Sequence, residues 1–100
     1  MRNLIIYASE RQLKEIKKII NKYKEEFSIR NVKITYKSSN GFQAELYGYD
    51  KGLKETIYKP SEIPLLLEAI DKMPMGFQEK IVRENFANIS SEDAFYYRYG

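Results

Sequence analysis

Three tyrosines, Tyr47, Tyr49 and Tyr58, lie in β-type sequence near Lys33 and Lys54. A tyrosine beside a lysine can stack a nucleic-acid base while neutralising a phosphate. Strand tyrosines also do plainer work, packing on cross-strand neighbours and leaving their hydroxyls in water. A second cationic set, Arg11, Lys14, Lys18 and Lys22, recurs every three or four residues and so forms one stripe on a helix. Such a stripe is either a solvated face or a contact for an anionic partner. Glu45, Asp50 and Glu55 are near enough in sequence to gather round a divalent ion, as a metal-dependent enzyme would require. Phe95, Tyr96, Tyr97 and Tyr99 make a last cluster, either a segment docked on the body or an adhesive patch.

Composition removes much of the remaining chemistry. The chain has no cysteine and no histidine, so thiol, disulfide and imidazole mechanisms are closed to it, Ser/His/Asp and Cys/His hydrolysis among them. Its five glycines are scattered; the close pair Gly48 and Gly52 suits a hairpin rather than a phosphate-binding loop between strand and helix. A net charge of +3 is a mild bias towards anions, far from the dense basic blocks of a dedicated nucleic-acid binder. The longest apolar run, Leu4 to Ala8, is much shorter than the roughly 18 residues that a membrane span needs. No membrane contact and no cofactor are expected, and the chain reads as soluble, unexported and cytoplasmic. Abundant lysine, isoleucine, tyrosine and asparagine suit an AT-rich genome, whether of a low-GC bacterium, a phage or another virus.

One hundred residues, 43% of them hydrophobic, are enough for one core, so a single domain over 1–100 is expected, with a body to 89 and an aromatic tail from 90. Asn3 to Ala8 is an apolar run without alternation, the pattern of a central strand covered on both faces. Ser9 and Gln12 form a capping-box pair, and Leu13, Ile16, Ile20, Tyr23 and Phe27 then predict one helix over 10–27, its stripe widened by Ile19. From Val32 the period changes to two, predicting a strand over 32–36 that runs parallel to the first after a crossover. Ser38 to Gly41 supplies a turn, Phe42 to Tyr49 a strand, and Leu53 to Tyr58 another, together an antiparallel meander or a close relative.

Ser61 and Pro64 open a helix whose buried side is Leu65, Leu66, Leu67, Ile70 and Met73. Pro74 stops it, because the residue before a proline is pushed out of helical geometry. Flexible Met73 and Met75 are then expected to be mostly buried, filling the corner before a last helix. That helix, about 76–86, is expected to bury Phe77, Ile81, Val82 and Phe86. Asp71 opposes the dipole of the helix it ends, so it should accept from a partner: Lys54, Arg83 or the amides of the turn.

Three stretches carry a family likeness: "RNLIIYA" as opening strand, "YGYDKGLK" as hairpin and "IDKMPMGFQEK" after a helix. Together they resemble a thioredoxin- or peroxiredoxin-like family of unknown function, found as small bacterial proteins and as repeated domains in some extracellular matrix proteins. The family hairpin, Gly-Lys-Asp-Gly-Gly-x-Lys, is matched at Gly48, Asp50, Gly52 and Lys54. Its Ile-Asp-x-Met-Pro-Met-Arg motif with a following glutamate is matched at Ile70, Asp71, Met73, Pro74, Met75 and Glu79. Gly76 stands where the family usually has arginine, and a short turn replaces the helix that a thioredoxin-like fold carries between its second and third strands. No Cys-x-x-Cys follows the first strand and no proline precedes Phe42. The resemblance therefore implies a scaffold without a redox site: α/β, a trimmed thioredoxin-like mixed sheet of about four strands, in the order β-α-β-β-β-α-α. The function expected on these grounds is a small non-catalytic binding module that works through a protein partner or a homodimer. The alternative is a nucleic-acid binder using the basic helix stripe and the strand tyrosines.

Overall fold

The computed structural model describes residues 1–87, excluding the side chains of Phe86 and Ala87. The tail residues Phe95, Tyr96, Tyr97 and Tyr99 and the side chain of Phe86 therefore lie outside the described residues. The chain divides into two compact units, with the boundary between Ala69 and Ile70.

The first unit is built on a mixed four-stranded sheet in the order β2-β1-β3-β4, formed by β1 (Arg2–Ala8), β2 (Val32–Ser38), β3 (Gln43–Tyr47) and β4 (Leu53–Ile57). β1 and β2 run parallel, with Leu4 level with Ile34, as the apolar run followed by a helix demands. β3 lies on the other side of β1, antiparallel to it, and β4 pairs antiparallel with β3. The expected meander is thus corrected: β2 and β3 are consecutive in the chain but separated by β1. Residues 39–42 make the passage, and the Ser39 amide donates to the Ala8 carbonyl at 3.0 Å, tying it to the end of β1.

Two helices, α1 (Glu10–Lys22) and α2 (Lys24–Ile29), connect β1 to β2. At the start of α1, Gln12 Oε1 accepts from the Ser9 amide at 3.3 Å and from its hydroxyl at 3.1 Å, satisfying a donor that the helix leaves open. The single helix expected over 10–27 is interrupted at Tyr23. There the amide reaches back to Ile20 at 3.0 Å, one residue nearer than an α-helical bond, so the last turn of α1 tightens. Ile16, Ile20 and Phe27 are buried nonetheless, Leu13, Ile19 and Tyr23 half so.

Alternation along the strands defines two unequal sheet faces. Leu4, Ile6 and Ala8 of β1, Ala44 and Leu46 of β3 and Ile57 of β4 are buried with the helices. The other face carries Asn3, Ile5, Tyr7, Gln43, Glu45 and Tyr47, all half-buried. Among the described residues β1 is therefore fully buried on one face and half-buried on the other, where its unbroken apolar run led to the expectation of cover on both. A strand rich in Ile and Leu mimics a doubly covered one even when alternate positions are Asn3, Ile5 and Tyr7.

A 3-10 turn, Pro60–Glu62, leads into α3 (Ile63–Lys72), within which the first unit ends. Ile63 and Leu66 are fully buried, whereas Leu65 is 53% exposed and does not share the inward side expected of it. Three consecutive positions of a helix, 65–67, spread over about 200° and cannot all face inward, and the inward arc here is set by Ile63, Leu66, Leu67 and Ile70.

In the second unit, α3 stops before Met73 and α4 (Pro74–Ala87) begins at the proline. Gly76 explains the corner: a Cβ there would overlap the Ile70 carbonyl oxygen and lie 2.8 Å from its carbon. The backbone turn is closed by this contact rather than by methionine packing. Met73 is half-buried and Met75 exposed, correcting the expectation that both fill a core gap. Asp71 accepts from Arg83 at 3.3 Å, so the acid at the end of α3 is held by a cation from α4. Phe77, Ile81 and Val82 are exposed rather than buried.

Candidate functional site

The half-covered sheet places a small constellation where the register brings β1 and β3 together. Ile5 lies opposite Glu45, Tyr7 opposite Gln43 and Asn3 opposite Tyr47. Glu45 is therefore diagonal to Tyr7 and two residues from Tyr47 on the same side of β3, spacings of roughly 7 Å that phenol side chains easily span. The Glu45 carboxylate acts on both phenols. For Tyr7 its pull as a hydrogen-bond acceptor, then burial and the glutamate charge, hold the phenol above its ordinary pKa. Tyr47 is raised chiefly by burial, then by the charge and hydrogen bond of Glu45. The pair Tyr7 and Glu45 escaped the sequence reading. Their signal was parity: Asn3, Ile5 and Tyr7 share one side of β1, and two of the three carry polar atoms.

Two cations of this face lie on β2. Lys33 and Lys37 of β2 are exposed, level with Asn3 and Tyr7 of β1. β2 is two strands from β3, about 9.6 Å at ordinary strand spacing. No ion pair joins either lysine to Glu45 among the described residues.

The other candidates separate. Only Tyr47 of the three tyrosines lies on a strand. Tyr49 belongs to the β3–β4 turn, where its ring lies 4.3 Å under the Arg2 guanidinium and its hydroxyl accepts from Arg2 at 3.0 Å and from Asn31 at 3.3 Å. Arg2 itself is 1% exposed and also donates to the Arg30 carbonyl at 2.8 Å, so Tyr49 is a structural lid on a buried cation. Tyr58 follows β4 and is 68% exposed. Arg11, Lys14, Lys18 and Lys22 do form an exposed stripe, but on α1, whose buried side packs on the covered face of the sheet. Stripe and open face thus lie on opposite sides of the first unit, and no single ligand strand lies flat on both.

Asp50 donates nothing to a metal site: its carboxylate accepts from Lys54 at 2.8 Å and from the Gly52 amide at 2.9 Å. The lysine bond above all holds its pKa below the ordinary carboxylate value. Glu55 lies level with Leu46 on β4 rather than with Glu45. Among the described residues no group of three metal-ligating side chains comes together. Nor is any described helix long and apolar enough to cross a membrane.

No protein-family model matches the chain, and no curated protein or solved structure is significantly similar to it. Any side chain at position 76 would bring a Cβ into the Ile70 carbonyl, so this corner requires the glycine it has.

Proposed function

We propose that the chain is a small non-catalytic binding module whose open sheet face docks a protein partner. The observation that carries this is the composition of that face: Ile5 at the centre, Tyr7 and Tyr47 beside it, and Asn3, Thr35 and Gln43 around them, all half-buried, with Lys33 and Lys37 of β2 along one side. Interface centres favour tyrosine and apolar groups and exclude lysine, which gathers at rims. A nucleic-acid surface would place its cations among its aromatic rings, whereas here a carboxylate occupies that place. Self-association through the same face is the other form of the proposal.

The trimmed thioredoxin-like scaffold is part of the same proposal. A mixed four-stranded sheet with helices supports it, and the four-residue link between β2 and β3 is where it departs from the full fold. Cytoplasmic location and a phage or other AT-rich origin belong to this proposal too, resting on composition alone.

The test is co-purification from cells of the organism that encodes the chain, using wild type, Ile5→Lys and the double variant Lys14→Glu/Lys18→Glu. Ile5→Lys puts a long cation in the middle of the face and should abolish capture of the partner, while the helix reversal should leave it intact. The opposite pattern would overturn the proposal.

A further inference from the structure

The two edges of the sheet differ. On β4 the outward Thr56 amide donates to the Glu55 carboxylate at 3.3 Å, and the pairing with β3 is broken by a register shift at Leu46 and Tyr47. A covered donor and a bulge close an edge to another chain. β2 has neither device. It pairs with β1 residue for residue from Val32 to Ser38 without a shift, and among the described residues no strand lies on its other side. Two bonds at its ends fix the phase of the ladder: the Arg2 amide donates to the Asn31 carbonyl at 2.9 Å, and the Ser39 amide to the Ala8 carbonyl at 3.0 Å. Backbone groups alternate in direction along a strand, so Lys33, Thr35 and Lys37 turn theirs to β1, while Val32, Ile34, Tyr36 and Ser38 turn theirs outward. That outward row, about 20 Å long, is a template for one more strand.

We propose that the β2 edge accepts an extended segment of a partner protein as an added antiparallel strand, with acidic residues opposite Lys33 and Lys37 and apolar ones opposite Ile34 and Tyr36. The phase of the ladder selects this occupant. An antiparallel strand exchanges its backbone bonds with the outward residues Ile34 and Tyr36. Lys33, Thr35 and Lys37 then fall at the non-hydrogen-bonded sites, where facing side chains come closest. Both lysines are exposed, on one side of β2 and four residues apart. A carboxylate on each flank of the segment therefore meets a cation, and a lysine there meets a like charge. On the other side Ile34 and Tyr36 are half-buried and offer apolar neighbours. A third cation, Lys17 of α1, stands 5.3 Å over the Tyr36 ring, so the edge is positive on both sides. A second copy does not fit: β2 laid antiparallel on its own image over its full length sets Lys33 of each copy opposite Lys37 of the other. The same lysines thus bar self-pairing and admit an acidic strand. The edge is separate from the open face, and takes a strand whether or not that face docks anything.

The experiment is an NMR titration of 15N-labelled protein with the peptide acetyl-Ser-Glu-Val-Thr-Val-Glu-Ser-amide. Two control peptides accompany it, one with both glutamates replaced by lysine and one with both valines N-methylated. The acidic peptide should give saturable shifts along β2 and slow the solvent exchange of the Ile34 and Tyr36 amides, leaving the exchange of Lys33, Thr35 and Lys37, already bonded to β1, unchanged. N-methylation removes the peptide donors that face β2 and should abolish binding. The lysine peptide should bind more weakly by about fivefold or more. In Lys33→Glu/Lys37→Glu, two exposed positions, the preference between the acidic and the lysine peptide should reverse. No saturation with the acidic peptide, slowed exchange that does not alternate along β2, binding retained after N-methylation, or a preference that survives the double reversal would each overturn the strand-accepting edge. Concentration-dependent shifts at Ile34 and Tyr36 without peptide would give the edge to a second copy and overturn it as well.

Discussion

The guanidinium of Arg2 lies 4.3 Å above the ring of Tyr49 and donates to its hydroxyl at 3.0 Å, which joins the first strand to the β3–β4 turn through a fully buried charge. Removing a partner from a buried donor costs more than the bond itself contributes, because the donor is left dry. Tyr49→Phe should lower stability by about 1–2 kcal/mol. Tyr49→Ala, which also removes the ring, should cost about 2–3 kcal/mol. Urea denaturation followed by circular dichroism gives both values. A loss under about 0.5 kcal/mol for the alanine variant would show that water replaces the ring without penalty.

Gly76 is required by the Ile70 carbonyl rather than by backbone conformation, so even the smallest side chain should be harmful there. Gly76→Ala is expected to cost about 1–3 kcal/mol through overpacking. The methionines beside it should matter less. Met75→Ala should fall within about 0.5 kcal/mol, as exposed positions do, and half-buried Met73→Ala should cost about 1–2 kcal/mol. Thermal denaturation of the three variants ranks them; a Met73 loss larger than the Gly76 loss would return the corner to methionine packing.

Tyr7 and Tyr47 bind their protons more tightly in the folded chain than free tyrosine does. Above the ordinary value of 10.0 the unfolded chain ionises first. The stabilisation these phenols give is therefore complete below pH 10 and declines as pH rises through their folded values. Ultraviolet titration of phenolate should show Tyr7 and Tyr47, together with partly buried Tyr36, ionising late, and Glu45→Gln should bring Tyr7 earlier, because hydrogen bonding to the carboxylate is its largest cause. Asp50 works in the opposite direction. Its folded pKa lies below the ordinary 3.8, so its contribution holds above that value and is lost as acid protonates it. Asp50→Asn should flatten this acid limb.

The helix stripe offers the alternative of nucleic-acid binding, and salt separates the two. Phosphate-driven affinity falls with a slope in log salt of about 0.9 per contacted duplex phosphate and about 0.7 per single-strand phosphate. Fluorescence anisotropy with labelled single- and double-stranded oligonucleotides at about 50 and 200 mM salt should show no binding at either. Micromolar binding at the lower salt that is lost at the higher, and lost again in Lys14→Glu/Lys18→Glu, would reinstate the stripe as the site.

Local pattern carried a good part of this architecture. The capped helix after an apolar strand implied a parallel partner, and β2 is that partner. Period-two alternation correctly put Ala44 and Leu46 on one side of β3 and Glu45 and Tyr47 on the other. Register and strand order were less accessible, since they depend on contacts between distant segments: nothing near Gln43 says that β3 crosses to the far side of β1. For that reason Tyr7 and Glu45 could not be brought together, while Tyr49 and Tyr58 were grouped with Tyr47 by sequence proximity alone. The burial of Arg2 had no sequence signal at all, because a terminal arginine beside an apolar run is ordinarily exposed.

The most direct measurement is site-specific photo-cross-linking inside the cells that make the protein, with p-benzoylphenylalanine placed at Thr35 on the open face and, separately, at Lys18 on the basic stripe. A discrete cross-linked protein adduct from Thr35, lost when Ile5→Lys is added, and none from Lys18, is the result predicted by a docking sheet face. An adduct from Lys18 alone, or one from Thr35 that survives Ile5→Lys, would contradict it.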